Sequence, residues 1–157
     1  MKLTLGQVQE ALGLSRETYR HWQKRIFPLA LRKGHGPCFS YGDLLAIALI
    51  QALTDLVAIP IGKLDPVARV LFDVCGQQAW TRFENQNLII YPDNWSAWFS
   101  VEAQTVSSKR VVIAIPCAPV IERLRNALLI DQAAEAQSSF RFPLAQVATV
   151  RGGRQSS

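Results

Sequence analysis

One segment constrains the fold of this 157-residue chain more than any other: the run YGDLLAIALIQALTDLVA at residues 41–58. Ser40 and Asp43 have the spacing of a helix-capping box, which places the helix start near Tyr41. The following residues are apolar on nearly every side of a helix, as expected for a helix enclosed by protein. The run therefore predicts a central helix wrapped by the other elements.

The positive charge of the chain is concentrated in its first quarter. Residues 1–36 contain seven Lys or Arg and two Glu, a balance of 7 − 2 = +5, which equals the net charge of the whole chain. The remainder contains ten basic and ten acidic side chains (17 − 7 and 12 − 2). A localised excess can act as a field on a polyanion, whereas an even spread would indicate only solubility.

Two short helices are predicted within this basic segment. Thr4 begins a Thr-x-x-Gln capping box, and apolar residues at helical spacing continue to about Leu12, where Gly13 ends the helix. Ser15 is a second N-cap, and a helix runs from it to about Lys24. Two helices joined by a short turn with a glycine match the helix-turn-helix pattern, whose second helix enters the major groove of DNA.

The second of these helices separates aromatic from basic side chains. Tyr19 and Trp22 are three residues apart, which places their rings on one side, and Trp22 is expected to anchor the core rather than to stack on a base. A charged helix face is usually only solvated, so the alternative to binding stays open. The side chains on or near the opposite side are Arg16, Arg20, His21 and Lys24.

A basic turn follows the two helices. Phe27-Pro28 is expected to stop the second helix, and the sequence RKGHGP at residues 32–37 indicates a wing before the central helix. Pro60 breaks the chain after that helix, and a further helix is predicted from about Gly62 to Cys75.

These segments together resemble the N-terminal DNA-binding domain of the MerR family of winged-helix regulators, over roughly residues 3–72. The apolar-Gly pair that opens the first helix in that family is Leu5-Gly6 here, and its Gly-apolar-Ser turn is residues 13–15, followed by Thr18. An Arg with two aromatic-like positions corresponds to residues 20–22, RHW. The aromatic-Ser-x-x-Asp-Leu motif after the wing corresponds to residues 39–44, FSYGDL.

The chain departs from the family pattern at several positions. Gln9 stands where the family usually has a small residue, and Gln23 stands where it has an acidic one. In the wing, Gly36 and Pro37 occupy the positions of a Tyr and an Arg that commonly touch phosphate. Any contact from this wing would therefore come from Arg32, Lys33 or His35.

DNA binding requires cations for phosphates and rigid donors for base edges. Arg16 and Arg20 lie four residues apart, and either could make the bidentate contact to guanine that arginine favours, Arg16 being better placed at the helix start. The resemblance implies a DNA-facing role for Arg20 and His21, although His21 could equally be an exposed neutral ring. Thr18 and Tyr19 are candidates for a phosphate or thymine-methyl contact. The predicted DNA-binding residues are Arg16, Thr18, Tyr19, Arg20, His21, Lys24, Arg32, Lys33 and His35.

The second half of the chain is different in character. It has no sustained heptad pattern, although MerR regulators usually pair through a long coiled-coil helix. Residues 87–91, 96–104 and 109–115 predict three short antiparallel strands, and a helix is predicted from near Pro119 to about Ala134. Residues 138–150 fit either a strand or a loop.

The expected fold is therefore α+β, with a winged helix-turn-helix at residues 1–75 and a small antiparallel-sheet plus helix module at residues 85–150. This module would serve dimerisation or effector binding, and residues 151–157 would be a disordered tail. Its aromatic residues, Tyr91, Trp95, Trp98 and Phe99, could line a ligand pocket, form a dimer core or simply pack in the sheet.

Several classes of protein are disfavoured. The chain has no phosphate loop, nucleophile elbow or metal-ligand spacing, and no His after residue 35, so we expect neither an enzyme nor a cofactor or metal. Cys38, Cys75 and Cys117 include no C-x-x-C pair and are expected to be buried or idle thiols. With no signal-like start and no uninterrupted apolar run of membrane-spanning length, the protein is expected to be cytoplasmic and not in a membrane.

The function expected from the sequence is sequence-specific binding of double-stranded DNA, most simply by a bacterial or phage transcriptional regulator that acts as a homodimer on two half-sites. One alternative is a phage-type architectural factor, similar to an excisionase or a terminase small subunit. Another is a protein-interaction adaptor that no longer binds DNA. Whether a small molecule or a protein acts as effector stays open.

Overall fold

A computed structural model of the chain describes residues 2–102 and 109–129. Within these residues it is α+β, as predicted, with six α-helices and one three-stranded antiparallel sheet. The helices are α1 (Leu5–Leu12), α2 (Arg16–Arg25), α3 (Phe27–Ala30), α4 (Tyr41–Asp55), α5 (Asp65–Gly76) and α6 (residues 117–129). The strands are β1 (Asn87–Tyr91), β2 (Ser96–Ser100) and β3 (Ile113–Pro116), and short 3₁₀ turns occupy Ile61–Lys63 and Trp80–Arg82.

The described residues up to Leu124 form one compact unit, and residues 125–129 are the described part of a second. The division into a domain at residues 1–75 and a module at residues 85–150 stays a prediction. The predicted strand-or-loop segment at 138–150, the tail at 151–157 and the end of the last helix near Ala134 lie outside the described residues. Among the described helices, none combines the length and apolarity needed to span a lipid bilayer.

The central helix α4 is the core of the molecule, as its sequence predicts. Every residue from Gly42 to Leu53 is buried. The predicted capping box is present, because the Ser40 hydroxyl accepts the backbone N–H of Asp43 at 3.0 Å and the Asp43 carboxylate accepts that of Ser40 at 2.9 Å. The helix ends at Asp55, three residues earlier than predicted.

The first turn of α4 packs directly against the last turn of α5. A Cβ atom added at Gly42 would overlap the backbone carbonyl of Cys75 and would lie 2.9 Å from the Cα of Gly76. Backbone atoms do not move aside as the end of a flexible side chain can, so this contact requires a glycine. The neighbouring thiol of Cys75 is buried, which raises its pKa to about 12.

We predict that Gly42→Ala lowers the free energy of unfolding by about 3 kcal/mol, because the added methyl group forces α4 and α5 apart. The matched control is Gly6→Ala in α1, where the nearest atom to an added Cβ is 3.8 Å away. That substitution should be neutral or stabilising by about 0.5–1 kcal/mol, since alanine is the better helix former. Urea unfolding measures both, and equal effects of the two substitutions would contradict the close approach.

The first two helices form as their caps predict. Thr4 and Gln7 make a reciprocal capping box, and Gly13 ends α1 with a left-handed φ of 62°. Ser15 caps α2 by accepting the backbone N–H of Thr18 at 3.1 Å. Leu14 is buried between the two helices' ends, so the turn is held by its side chain as well as by its backbone.

After α2 the chain forms a short helix, α3, that the sequence did not predict. Phe27-Pro28 ends α2 as expected, but a proline is tolerated in the first turn of a new helix because its missing N–H has no partner there. The backbone N–H of Phe27 donates to Asp65 at 2.7 Å, and the Arg69 guanidinium lies 4.4 Å from the centre of the Phe27 ring. These contacts fix α3 to the start of α5.

The segment predicted to be a wing is a bent loop, residues 31–38, which we call the basic loop. It contains no paired strands of its own, and Gly34 has a φ of 116°. Its end is held by one antiparallel bridge, in which the backbone N–H of Leu3 donates to Phe39 at 2.6 Å and Phe39 donates back at 3.0 Å. The winged-helix identity of this half of the chain stays a prediction.

The sheet confirms the prediction of three antiparallel strands, with β1 in the centre and the order β2-β1-β3. Phe99 packs on Phe83 with ring centres 4.8 Å apart, and on the other face Tyr91 packs on Trp98, also at 4.8 Å. Tyr91, Trp98 and Phe99 therefore take part in sheet packing. Trp95 occupies the hairpin turn with a left-handed φ of 55°.

Candidate nucleic-acid interface

An open groove of about 950 Å³ lies between α1, α2 and the basic loop. Its lining includes six basic or potentially basic side chains and no carboxylate. We call it the basic groove. These side chains are Arg16, Arg20 and Lys24 from α2, and Arg32, Lys33 and His35 from the basic loop.

The α2 side of the groove is an exposed stripe of cations. Arg16, Arg20 and Lys24 recur every four residues, so they lie along one face of the helix, and all three are exposed. Among the residues that the structure describes, none of the three forms an ion pair. The opposite face is fixed in the core, because Tyr19 and Trp22 are only 2% and 4% exposed.

This stripe is unfavourable for the isolated fold. Like charges four residues apart on a helix repel by about 0.2–0.5 kcal/mol per pair. Arg16 is also the first residue of α2, where the positive end of the helix dipole disfavours a cation by about 0.3–1 kcal/mol. Only Glu17, in the same turn, has the sign that this end favours. The stability of α2 itself therefore does not account for the stripe.

Arg32 is held by a carboxylate, unlike the three cations of α2, and its contact with DNA stays a prediction. Its Nη2 donates to the Asp43 carboxylate at 3.0 Å, and its guanidinium lies 5.7 Å from the centre of the Phe72 ring. The second Asp43 oxygen accepts the Ser40 N–H, so the Nε of Arg32 is buried without a partner. The charge of Arg32 is thus compensated inside the protein. This pair anchors the basic loop to α4.

Thr18 is half-buried at the start of α2, whereas Tyr19 is buried in the core. The Thr18 hydroxyl is 2.7 Å from that of Ser15 and belongs to the cap of α2. The Tyr19 ring packs edge-on against Phe39, with ring centres 6.4 Å apart, and its hydroxyl is buried without a hydrogen-bond partner. Burial raises the pKa of Tyr19 to about 12. Tyr19 is therefore a core residue beneath the groove.

The remaining predicted residues are accessible. Lys33 and His35 are exposed on the basic loop and line the groove. His21 is exposed on α2 but does not line it, because it lies one residue further round the helix from Arg20. The structure thus brings together Arg16, Arg20, Lys24, Lys33 and His35 as accessible side chains of one surface.

Gln23 also lines the groove, although it was not among the residues predicted to form the site. Its side-chain amide donates to the backbone carbonyls of Arg32 at 3.2 Å and Leu29 at 3.5 Å, which holds the basic loop against α2. A carboxylate could not donate either bond and would place a negative charge in the groove. The signal was available, because Gln23 stands where the MerR pattern has an acidic residue.

Gln51 supports the groove from the core side. It is one of two buried polar side chains among the described residues, with Asp43. Its amide donates to the backbone carbonyl of Leu12 at 2.9 Å, at the turn between α1 and α2, and its oxygen accepts a bond from Arg123 of α6 at 3.3 Å. Nothing in the apolar run distinguishes this glutamine before the contacts are seen.

Known proteins provide no identification of this surface, since no protein-family model and no curated protein matches the chain. Within residues 2–102 and 109–129, no three His, Cys, Asp or Glu side chains come together as ligands for a metal ion. The three cysteines are free thiols, and Cys117 is buried with its pKa raised to about 11.

We predict that Tyr19→Phe increases the free energy of unfolding by about 1 kcal/mol at neutral pH, because it removes a buried hydroxyl without a partner. The raised pKa means that the folded state keeps its proton above pH 10, where the unfolded chain loses it. The wild type therefore loses stability from Tyr19 as the pH rises from 10 to about 12, and the variant does not.

Urea unfolding of both proteins across this pH range tests the prediction. The advantage of Tyr19→Phe should grow with pH, since every other titrating group is common to the two proteins. A variant that is less stable than the wild type at neutral pH would show that the hydroxyl has a stabilising partner.

Proposed function

We propose that the protein binds double-stranded DNA sequence-specifically and that α2 enters the major groove. The observation that carries this proposal is the stripe of uncompensated cations, Arg16, Arg20 and Lys24, on a helix whose other face is anchored in the core. A protein that neutralises phosphates releases their condensed counterions, which supplies affinity. The major groove is wide enough to admit a helix, and the cations would then face the duplex.

The positions of the cations suggest separate roles. Arg16 and Arg20 lie in the first half of α2, which is the part of a recognition helix that contacts base edges, and their guanidinium groups can donate two bonds to guanine. Lys24 in the last turn and Lys33 on the basic loop are point charges suited to the phosphates on either side of the major groove of DNA. The two arginines would determine the sequence, and the two lysines would hold the duplex.

The simplest biological role for such a protein is regulation of transcription as a homodimer on two half-sites, because a single helix-turn-helix makes few base contacts. An architectural DNA-binding factor would share the salt-dependent binding but would not act at a promoter. An adaptor protein would show no preference for any DNA fragment. Selection of bound fragments from a genomic pool, followed by a reporter assay on the selected site, separates the three roles.

We predict that Arg16→Ala and Arg20→Ala each weaken binding to the selected site by at least about tenfold while leaving non-specific binding nearly unchanged, because each removes a contact to a base. Lys24→Ala should weaken specific and non-specific binding alike and reduce the slope of log K against log salt by about 0.9. Fluorescence anisotropy over a range of salt concentrations measures both quantities. Arg82→Ala, an exposed arginine outside the groove, is the matched control.

Loss of the same size in Arg82→Ala would mean that affinity depends on net charge and not on the basic groove. A wild-type protein that binds no genomic fragment above its salt-sensitive background would overturn sequence-specific binding. Folding is checked by the unfolding midpoint of each variant, which Arg16→Ala should leave unchanged or raise because it relieves repulsion in α2.

We predict that Gln23→Glu weakens DNA binding by about tenfold or more, because it adds a like charge against the phosphates and releases the basic loop. Gln86→Glu is the matched control, since the Gln86 amide also donates to a backbone carbonyl, that of Arg82 at 2.8 Å, but does not line the groove. The same anisotropy titration compares the two. Equal binding by both variants would exclude Gln23 from the DNA-facing surface.

A further inference from the structure

The chain exposes a continuous apolar segment directly after α4. Residues 56–60, LVAIP, form what we call the apolar loop. Leu56 is 80% exposed, Val57 is 39% exposed, and Ala58 and Pro60 are also exposed. Single exposed apolar residues are ordinary on a protein surface, but consecutive ones mark a site of interaction.

The apolar loop has a defined shape. Ile59 is its inward residue, with 8% exposure, and its backbone N–H donates to Leu53 at 3.2 Å. Ala58 adopts a left-handed φ of 58°, which a residue with a Cβ adopts only at a cost in free energy. This conformation turns Ile59 into the core while Leu56 and Val57 stay outside. A surface that is already ordered loses less entropy on binding than a flexible one.

The charges that flank the apolar loop identify a suitable partner. Asp55 precedes the loop and Lys63 follows it, both are exposed, and neither forms an ion pair among the described residues. A partner carrying a single sign of charge would be repelled at one end. A second copy of the chain, related by a two-fold axis, would place Asp55 next to Lys63 of the partner subunit at both ends, as an isologous interface requires.

We propose that the apolar loop is the homodimer contact of this protein, with Leu56 buried in the contact and an Asp55–Lys63 pair between the subunits on each side. The proposal rests on the proposed function in one respect, that two DNA half-sites call for two copies. It places the contact on the end of α4 and not in the module at residues 85–150, where the sequence led us to expect it.

Sedimentation equilibrium of the full chain over a wide range of protein concentrations tests the interface. Leu56→Ser should raise the dimer dissociation constant by at least about tenfold, because it removes the large apolar side chain of the loop that is most exposed in the single chain. Leu31→Ser is the matched control, since Leu31 is also highly exposed, at 61%, but lies outside the apolar loop. It should leave the dissociation constant unchanged.

Charge reversal tests the proposed pairing directly. Asp55→Lys and Lys63→Asp should each weaken the dimer, and the double variant should restore it, because the exchanged charges attract again across the interface. A wild type that is monomeric at every concentration would overturn the proposal. So would a dimer that Leu56→Ser leaves intact, or a double variant that is no tighter than the single ones.

A comparison of one and two half-sites separates this proposal from the proposed function. The wild type and Leu56→Ser should bind a duplex with one half-site equally well, whereas only the wild type should gain affinity from a second half-site. Equal gains by both proteins would sink the interface while DNA binding stands. Dimerisation without binding to either duplex would sink DNA binding while the interface stands.

Discussion

The structure depends on the complete burial of α4. The segment buried from Gly42 to Leu53 satisfies its own backbone as a helix, and the surrounding elements gain free energy by covering it. Its two buried polar side chains are both engaged: Asp43 binds Arg32 of the basic loop, and Gln51 donates to the backbone carbonyl of Leu12 at the turn between α1 and α2. Loss of either partner would leave a buried polar group without compensation, which is costly. The core helix therefore positions both sides of the basic groove, and the geometry of the site depends on the burial of α4.

The cations in the first quarter of the chain are of two kinds, which differ in their contacts. Arg32 binds the Asp43 carboxylate, which also takes part in the cap of α4. This ion pair positions the basic loop. Arg16, Arg20 and Lys24 have no such partner among the described residues, and they project from a helix that Tyr19 and Trp22 hold rigidly from below. Charge alone does not distinguish the two kinds. The distinction comes from what lies within reach of each guanidinium or ammonium group, and it decides which residues are free to bind a polyanion.

The sequence predicted the features that depend on neighbouring residues. The caps at Thr4, Ser15 and Ser40 and the presence of three antiparallel strands were correct because capping boxes and strand patterns are local chemistry. The bounds of two strands were wrong: the second ends at Ser100 and not at residue 104, and the third begins at Ile113 and not at residue 109. The sequence did not predict contacts between distant residues. The Arg32–Asp43 pair spans 11 positions, the Gln51–Leu12 bond 39 and the Arg123–Gln51 bond 72. For the same reason it could assign Tyr19 to the inward side of α2 and still keep it as a candidate contact, since only the packing against Phe39 shows its hydroxyl to be enclosed.

The acidic residues of the same region support the reading of the basic groove as a site for an anion. Residues 1–36 contain only two, Glu10 and Glu17, and both are exposed but absent from the groove lining. Glu17 is three residues before Arg20 on α2, so it lies beside the stripe, although it does not line the groove. Gln23 stands where the MerR pattern has an acidic residue, and its amide donates to two backbone carbonyls instead. A surface selected only for solubility would intersperse both signs of charge. The groove lining contains no carboxylate, and its cations on α2 form no ion pair among the described residues, so the local field favours an anion.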